Sequence, residues 1–289
     1  AERRRRLLTF VVVGGGPTGV EYAGALSELI FGPLLADFPS IGRDEVRIVL
    51  LEGGDRLLAG IPDRLGAYAL ERLARRRVDV RFGGLVESVD ALGVTLTDGV
   101  RVESETVVWT AGVQGEPRAA EWGLPVAKAG RVPVNDLLAL PDRPEVHVVG
   151  DLAYREDDEG RPLPQVAQVA IQQGRCVARN VLREIRGGRP EPFRYRDPGM
   201  LAVIGRNAAV ARIFGISFRG WPAWLVWLAI HVSWLIGFRN RVLVLVNWGW
   251  NYVFYRRAVR LILPTLVPSE GHRDAAGPDP PSGPGHGRA

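Results

Sequence analysis

The chain has 289 residues, a formal net charge of +5 and one cysteine, Cys176. This length is sufficient for a substantial core and for two domains. A single cysteine excludes an internal disulfide framework and a CxxC redox pair, and the four histidines lack the spacing of metal ligands.

The arginine run at 3–6 and the apolar residues after it superficially resemble a secretory signal. The apolar run is only about seven residues long and ends in glycines, so we predict no signal peptide. Because the sequence begins with Ala1 and reaches its first strand within ten residues, we expect it to be an N-terminally truncated part of a longer protein.

Residues 11–24, VVVGGGPTGVEYAG, join a predicted strand to a predicted helix through a glycine turn. Gly14, Gly16 and Gly19 have the G-x-G-x-x-G spacing, which allows a tight turn, close approach of a pyrophosphate and helix–strand packing. The helix start adds free N–H groups and a positive dipole end. The pattern predicts dinucleotide binding; the alternative is a strand–turn–helix unit that only packs.

Glu52 ends the next predicted strand, VRIVLLE, and is a candidate ligand of the adenosine ribose. An acid at this place disfavours a 2′-phosphate, so NADH is favoured over NADPH although Arg56 lies close by. The gap from Gly19 is longer than usual, and we predict an inserted loop at 31–45. The alternative for Glu52 is an ordinary strand-end acid that faces solvent.

The first part of the chain alternates strand and helix patterns, which is typical of an α/β fold. A segment at 87–103 alternates around Asp98-Gly99 and predicts an antiparallel ribbon. The predicted strands lie at 8–13, 46–51, 78–82 and 106–109, and the predicted helices at 18–30 and 63–76.

Two further predicted strands end in glycine turns. The strand at 107–113 contains Gly112, and the strand at 145–153 ends in Gly150-Asp151. An aspartate at this place is either the N-cap of the following helix or a carboxylate that accepts a hydrogen bond from a cofactor hydroxyl.

A helix is predicted at 164–187, with Gln168 and Gln172 on one face. Glutamines in this pattern usually lie on a solvated face, unless a ligand sits at the start of the helix. Cys176 on the same helix is predicted to be a packed small side chain. Residues 199–213 alternate around a Gly-Arg-Asn turn and predict a hairpin.

The composition then changes sharply. Residues 221–238 contain no acid, arginine or lysine and follow helical spacing, and a second helical pattern follows a short Arg-Asn-Arg interruption. Six of the eight tryptophans lie in this region, where membrane-interface anchors are expected. The alternatives are a monotopic helical hairpin in one leaflet, a spanning helix about 27 Å long, and a buried or dimer helix.

Between Asp197 and Glu270 the sequence has arginines but no acidic residue, which favours an anionic membrane surface over nucleic acid as a partner. His231, within this region, is predicted to be interfacial or packed rather than a metal ligand. The tail at 271–289 is rich in proline and glycine and is predicted to be disordered.

Together these segments resemble the type II NADH dehydrogenases, single-subunit NADH:quinone oxidoreductases that do not pump protons. The resemblance implies an α/β fold with two nested Rossmann-like dinucleotide-binding domains and a C-terminal helical membrane anchor. We expect the FAD domain to be incomplete here, without its first half. The matching segments are VVVGGGPTGVEYAG (11–24), VVWTAGV (107–113), VHVVGDLA (146–153), PQVAQVAIQQG (164–174) and NWGWNYVFYRRAVRLIL (247–263).

The resemblance also predicts a division of the chain into five parts. These parts are an NADH-binding Rossmann-like domain at 1–112, the returning half of the FAD-binding domain at 113–190, an antiparallel hairpin at 191–216, an amphipathic helical membrane anchor at 217–265 and a disordered tail at 266–289.

Residues of the glycine turn and its surroundings take roles from the resemblance. Gly14, Gly16 and Gly19 are expected to hold the NADH pyrophosphate, and Glu52 the adenosine ribose. Glu21 matches the glutamate that lies beside the nicotinamide and the flavin; the alternative is a first-turn helix acid favoured by the dipole.

The remaining candidates lie in the middle of the chain. Gly112, Gly150 and Asp151 are expected to bind cofactor, Asp151 through the ribityl chain of the flavin. Gln168 and Gln172 match the helix start that lines the quinone pocket against the flavin ring. Ile171 is expected to be no more than part of the pocket wall.

The implied activity is hydride transfer from NADH to FAD, followed by reduction of a membrane quinone. We expect a monotopic protein on the cytoplasmic face of the cell membrane, docked through 217–265; a homodimer is left open. The alternatives are a flavin-dependent reductase with a soluble or protein acceptor and a non-catalytic NAD(H)-sensing membrane module. A sulfide:quinone reductase would need redox cysteines that Cys176 alone cannot supply.

Overall fold

The computed structural model describes residues 1–253. At its centre is a four-stranded parallel sheet of β1 (Thr9–Val13), β2 (Arg47–Glu52), β3 (Val78–Phe82) and β7 (Thr106–Trp109), in the order β3-β2-β1-β7. Both faces are covered, since Val12 and Leu50 point into one core and Val11 and Leu51 into another. The four predicted strands are confirmed with small shifts of their ends.

Helices cover one face of this sheet. The two predicted helices are confirmed as α2 (Pro17–Leu29) and α4 (Asp63–Arg75), and a short helix α1 (Glu2–Leu7) precedes β1. Val20 and Ala23 of α2 and several apolar residues of α4 are fully buried against the sheet. This packing fixes the start of α2 at the carboxyl end of β1.

The predicted inserted loop at 31–45 is wrong in its first half. The chain continues as a π-helical turn, Ile30–Leu34, and a short helix α3, Leu35–Asp37. Phe31 and the two leucines after Pro33 pack against the core, and this burial stabilises a helical path despite the glycine and proline within it. The remaining residues of the segment form turns before β2.

A three-stranded antiparallel ribbon covers the other face of the parallel sheet. The predicted Asp98-Gly99 turn is confirmed: Gly99 has a φ of 82°, and the Asp98 carboxylate accepts a hydrogen bond from the N–H of Val100 at 2.9 Å. The strands are β4 Val86–Asp90, β5 Gly93–Leu96 and β6 Arg101–Glu103.

Residues 113–198 form short elements around one long helix. The predicted strand at 145–153 is shorter than expected, because the chain leaves it after His147 and forms a 3-10 turn at Gly150–Leu152. The predicted helix at 164–187 begins later, because Pro164 takes part in a preceding turn. The elements are α5 Arg118–Glu121, a 3-10 turn Lys128–Gly130, β8 Val132–Pro133, β9 Ala139–Leu140, β10 Arg143–His147, β11 Ala153–Tyr154 and α6 Ala167–Ile185.

A second antiparallel sheet packs on helix α2. The predicted hairpin at 199–213 is confirmed, but a third strand follows it and crosses the predicted boundary between hairpin and anchor. Ala202 and Ile204 lie in the same core as Leu50, and a Cβ on Gly24 would stand 2.0 Å from the carbonyl oxygen of Ile204. The strands are β12 Gly199–Gly205, β13 Ala208–Ile213 and β14 Ile216–Gly220.

Two helices, α7 (Trp221–Trp234) and α8 (Phe238–Val253), end the described part of the chain. The predicted continuous helix at 221–238 is wrong: Leu235 is extended, and Gly237, with a φ of 83°, separates the two helices. Within residues 1–253 we find no helix with the length and apolarity needed to cross a membrane. The end of the predicted anchor and the whole predicted tail lie outside the described residues.

Candidate active site

The three predicted glycines build the turn between β1 and α2. Gly14 has a φ of 107°, and a Cβ there would stand 2.9 Å from the backbone of Ala111. A Cβ on Gly19 would stand 1.8 Å from the carbonyl oxygen of Gly14, so only glycine allows this approach of helix and strand. Gly16, the N-cap of α2, has open space at its Cβ position. The turn therefore presents a helix N-terminus with room for a phosphate.

Glu52, at the end of strand β2, contacts the glycine turn between β1 and α2 through its side chain. Its Oε2 accepts a hydrogen bond from the N–H of Gly15 at 2.5 Å, and its Oε1 accepts one from the N–H of Gly54 at 2.7 Å. The side chain is half-buried and positioned by two backbone donors, which differs from an acid that simply faces solvent. A carboxylate has about four acceptor positions. Two such positions therefore remain for the hydroxyls of a ligand.

A cavity of about 580 Å³ lies at the carboxyl ends of β1, β2 and β7. This is the edge of the sheet at which dinucleotides bind in doubly wound folds. The Thr110 hydroxyl donates to the carbonyl oxygen of Val13 at 2.7 Å and ties β7 to β1 below the cavity. The wall brings together four of the predicted residues and their neighbours: Gly14, Gly16, Glu52, Gly112, Gly54, Leu85 and Trp109.

Glu21, in the second turn of α2, faces the C-terminal sheet and α7. Its Oε1 accepts a hydrogen bond from the N–H of Val203 at 3.0 Å. Burial raises the pKa of Glu21, while the Val203 hydrogen bond, the charge of His231 and a hydrogen bond from Trp227 act in the opposite direction. The carboxyl is therefore an acid held in a partly apolar site between two elements that are distant in sequence.

A second cavity, of about 730 Å³, lies between the start of α2, the start of α6 and β12. Gln168 lines this cavity, but its predicted partner Gln172 does not. The Gln172 amide exchanges two hydrogen bonds with the backbone of Arg196, donating to its carbonyl at 2.9 Å and accepting from its N–H at 3.1 Å. Of the two glutamines at i, i+4 spacing, Gln168 thus lines the cavity and Gln172 makes a structural contact with the Arg196 backbone.

The turn at Gly150-Asp151 is held by two glutamines. The N–H of Gly150 donates to Oε1 of Gln173 at 2.6 Å, and the Asp151 carbonyl accepts from Nε2 of Gln165 at 2.9 Å. Gly150 has a φ of 72°, and the Asp151 side chain is exposed. Helix α6 begins at Ala167, so the alternative of Asp151 as its N-cap is wrong.

Gln173 was not predicted, although it is fully buried. Its Nε2 has no hydrogen-bond partner in the described part of the chain. It follows Val169 by four residues and precedes Cys176 by three, and both of these are buried on α6, as predicted for Cys176. The periodicity of this buried face is the signal that points to Gln173 rather than Gln172.

A second buried polar residue, Arg131, was also missed. Its guanidinium donates to the carbonyl oxygens of Ala153, at 2.5 and 3.0 Å, and Leu163, at 3.1 Å. Burial lowers the pKa of Arg131, and the charge of Asp151 partly opposes this. Arg131 therefore ties strand β11 to the segment at Leu163, which lines the second cavity. No spacing pattern in the sequence marks it.

Known protein families match the chain in two blocks. Residues 2–174 match the family profile "Pyridine nucleotide-disulphide oxidoreductase", and residues 198–257 match the profile "NDH2 C-terminal domain". The first block spans more than half of the chain and includes the glycine turns at Gly14, Gly112 and Gly150. The second block covers the C-terminal sheet (β12–β14) and the helical hairpin formed by α7 and α8.

Curated relatives match across almost the whole chain. The type II NADH:quinone oxidoreductase Ndh of Mycobacterium tuberculosis is 40% identical over 267 residues, which are 89% of this chain and 57% of the relative. The internal alternative NAD(P)H-ubiquinone oxidoreductase A1 of Arabidopsis thaliana is 32% identical over 90% of this chain and 54% of its own length. The chain thus spans somewhat more than half the length of these relatives.

A solved structure shares the fold. NDH2 from Plasmodium falciparum, in complex with NADH, superposes with a TM-score of 0.79 at 15% identity, over 90% of this chain and 69% of that chain. An identity this low supports the fold alone. The profile over residues 2–174 shows that the chain belongs to the pyridine nucleotide-disulphide oxidoreductases, and its C-terminal part is similar to the NDH2 C-terminal domain.

Proposed function

We propose that this chain forms the NADH-binding and quinone-facing part of an FAD-dependent NADH:quinone oxidoreductase. The observation that carries the proposal is the first cavity, in which the open face of Gly16 and the acceptor atoms of Glu52 share one wall. This pairing suits a dinucleotide whose pyrophosphate lies on the start of α2 and whose ribose reaches β2. Two similar proteins are named as an NADH:quinone and an NAD(P)H-ubiquinone oxidoreductase, which supports the same activity.

In this proposal each group of the first cavity has one task. The N–H groups at the start of α2 bind the pyrophosphate, helped by the positive end of the helix dipole. The Glu52 carboxylate accepts hydrogen bonds from ribose hydroxyls, and its charge disfavours a 2′-phosphate. Gly112, at a φ of 101°, allows the chain to pass the cavity without a side chain.

The residues at the Gly150-Asp151 turn fit FAD. The Gly150-Asp151 turn is preformed by Gln165 and Gln173, and the exposed Asp151 carboxylate suits a ribityl hydroxyl. The buried Nε2 of Gln173 lacks a partner among the described residues, and an acceptor atom of the cofactor would satisfy it. When bound, FAD supplies the capacity to accept a hydride and to pass two electrons to a quinone.

Gln168 is placed to meet the quinone. It lies in the wall of the second cavity, where a neutral amide can donate a hydrogen bond to a quinone carbonyl and stabilise the negative charge that develops there. Gln172 holds the Arg196 backbone. This contact holds the backbone between Tyr195 and Asp197, which both line the cavity, whereas Ile171 is exposed and does not line it.

The helical hairpin is proposed to dock on the membrane in one leaflet. Ile236 and Phe238, in and after the turn between α7 and α8, are 93% and 82% exposed, and Phe214 at the β13–β14 turn is 82% exposed. Apolar side chains this exposed are costly in water and favourable in a lipid interface. Arg239 and Arg241 beside them suit anionic headgroups. We place this surface on the cytoplasmic face, where NADH is supplied; a homodimer stays a prediction.

An anaerobic titration of the flavin absorbance of the full-length protein tests the proposal. Addition of NADH is expected to bleach the flavin, and a short-chain quinone is expected to restore its colour. Bleaching without recovery would favour a reductase with a soluble or protein acceptor. A protein that binds NADH but contains no flavin would instead favour an NAD(H)-sensing module.

A further inference from the structure

The loop after strand β2 carries a positive side chain, Arg56, and runs beside the first cavity. At its start, the N–H of Gly54, a residue of the cavity wall, donates to Oε1 of Glu52 at 2.7 Å. Further along, the N–H of Leu58 donates to the carbonyl oxygen of Gly15 at 2.9 Å. Arg56 is two residues from each of these donors. Because Cα atoms two residues apart are separated by at most about 7.6 Å, its backbone lies close to the proposed ribose site.

The guanidinium of Arg56 is nevertheless bound outside this cavity. It forms an ion pair with the carboxylate of Asp63, at the start of α4, and its Nη2 donates to the carbonyl oxygen of Ala59 at 2.8 Å. No arginine or lysine is among the described residues that line the first cavity. The ribose end of the cavity therefore has the negative charge of Glu52 without a guanidinium beside it.

The groups that hold Arg56 are fixed, whereas Arg56 itself is free to turn. Leu57 and Leu58 are buried in the main core, so the backbone that leads to Ala59 is held in place. The side chains of Arg56 and Asp63 are 42% and 82% exposed, and ion pairs this exposed are weak. Removal of the Asp63 carboxylate leaves the guanidinium with its hydrogen bond to Ala59, and the exposed side chain can then reach other partners.

NADH and NADPH differ at one place, the 2′ position of the adenosine ribose, where NADPH carries a phosphate. In doubly wound folds an acid at the end of the second strand binds the 2′-hydroxyl, whereas a nearby arginine accommodates a 2′-phosphate. This loop offers both types of side chain. Glu52 lines the cavity, and Arg56 is held by Asp63. The choice between the two nucleotides then depends on the position of Arg56 as well as on the presence of Glu52.

We propose that Asp63 is a specificity-determining residue that withholds Arg56 from the ribose end of the first cavity and so keeps the site selective for NADH. The proposal rests on the proposed function. Asp63 acts through Arg56 and is a positioning residue. Without the Asp63 carboxylate, Arg56 turns towards the cavity and pairs with a 2′-phosphate, for which the planar guanidinium has a suitable bidentate geometry. NADH lacks this phosphate and gains nothing.

Nucleotide binding to Asp63→Ala, Arg56→Ala and the double variant tests this coupling. NADH and NADPH are titrated calorimetrically into the full-length flavoprotein after its reduction with dithionite, so that no hydride transfer follows binding. Asp63→Ala is expected to tighten NADPH binding about two- to fivefold, the range set by an exposed ion pair, and to leave NADH binding unchanged. Arg56→Ala alone should change neither, and the gain should vanish in the double variant. Asp55→Ala is the matched control, because Asp55 is exposed and has the same charge in the same loop.

Steady-state kinetics give a second readout. In Asp63→Ala the KM for NADPH should fall while kcat stays within about twofold, because the nicotinamide end of the site is unaltered. An equal gain in Asp55→Ala, or a gain that persists in the double variant, would show a general charge effect and overturn the proposal.

The outcome also separates this proposal from the proposed function. A wild-type protein that binds neither nucleotide would refute the proposed function and the role of Asp63 with it. NADH binding together with an unchanged ratio of the two dissociation constants in Asp63→Ala would refute the role of Asp63 alone.

Discussion

The side chain of Glu52 holds the backbone of Gly15: Oε2 accepts a hydrogen bond from its N–H at 2.5 Å, across 37 residues of sequence. The same carboxylate binds the N–H of Gly54 through its other oxygen. The group proposed to recognise the ribose therefore also shapes the turn that is proposed to bind the pyrophosphate. In this proposal, the binding of the ribose and the binding of the pyrophosphate are coupled through the Glu52 side chain.

Glu52→Gln should weaken NADH binding, because the new NH₂ group faces a backbone N–H and the charge is lost. The expected cost is about 1.5–3 kcal/mol, the range for a hydrogen bond to a charged group. Titration of NADH against the flavoprotein measures it, with Glu71→Gln on the exposed side of α4 as the control. Reoxidation by quinone should be unaffected; an equal loss of both half-reactions would contradict the role of Glu52.

Gly24→Ala should destabilise the fold, because its Cβ would stand 2.0 Å from the Ile204 carbonyl oxygen and force α2 and β12 apart. The expected loss in the free energy of unfolding is about 1–3 kcal/mol. Gly174→Ala on α6 is the matched control, since nothing lies near its Cβ position and helix propensity alone predicts a small gain. Equal effects in urea denaturation would refute this packing argument.

Gln173→Leu should lower the flavin content of the purified full-length protein. The N–H of Gly150 loses its buried acceptor, at a cost of about 1–3 kcal/mol, and the turn that carries Asp151 is no longer held. Gln173→Glu keeps the acceptor and should retain more flavin. Gln172→Leu is the control, because the Gln172 amide exchanges its hydrogen bonds with the Arg196 backbone in the described part of the chain. Flavin loss equal to that of Gln173→Leu would show a general defect of α6.

The stability of the protein should depend on pH through Glu21. Burial raises the pKa of Glu21 above its ordinary value of 4.5, so the folded state binds this proton more tightly than the unfolded state. The resulting stabilisation is present below pH 4.5 and is lost as the pH rises through the raised pKa. The Glu21→Gln variant lacks this titrating group. Its free energy of unfolding should therefore rise relative to that of the wild type as the pH increases. A difference that shrinks over this range would contradict the burial of the carboxyl.

Replacing Ile236 and Phe238 by serine should reduce binding to vesicles that contain anionic phospholipid. Both side chains are almost fully exposed, so the folded state should lose little stability. Burial of one such side chain contributes about 1.5–3 kcal/mol, which predicts at least a tenfold drop in partitioning. Ile185→Ser on α6, where the side chain is 76% exposed, is the control in a co-sedimentation assay. If it has the same effect, the hairpin is not the docking surface.

The parallel sheet and its glycine turn could be predicted because the signals are local. Each of Gly14, Gly16 and Glu52 is marked by its position relative to one strand end. The end of α7 was missed because Leu235 and Ile236 continue the apolar pattern and Gly237 is the one contrary signal. Strand β14 was missed because it is short and mixes polar with apolar residues.

Side-chain directions at the site could not be predicted in the same way. Glu21 faces Val203, which is 182 residues further along the chain, and Gln172 faces the Arg196 backbone. Such contacts depend on which sheet packs on which helix. Helical spacing places Gln168 and Gln172 on one face, but it does not say which of the two a later segment covers.

The contact between Gly24 and Ile204 joins the parallel sheet and the C-terminal antiparallel sheet into a single core. Within residues 1–253, strand β14 leads directly into helix α7, so regular structure connects the exposed turn at Ile236 to this core. If this turn rests in the lipid headgroups, the connection through the core fixes the distance between the proposed flavin site and the bilayer. Under the proposed function, a quinone would then leave the bilayer over this fixed distance before it is reduced.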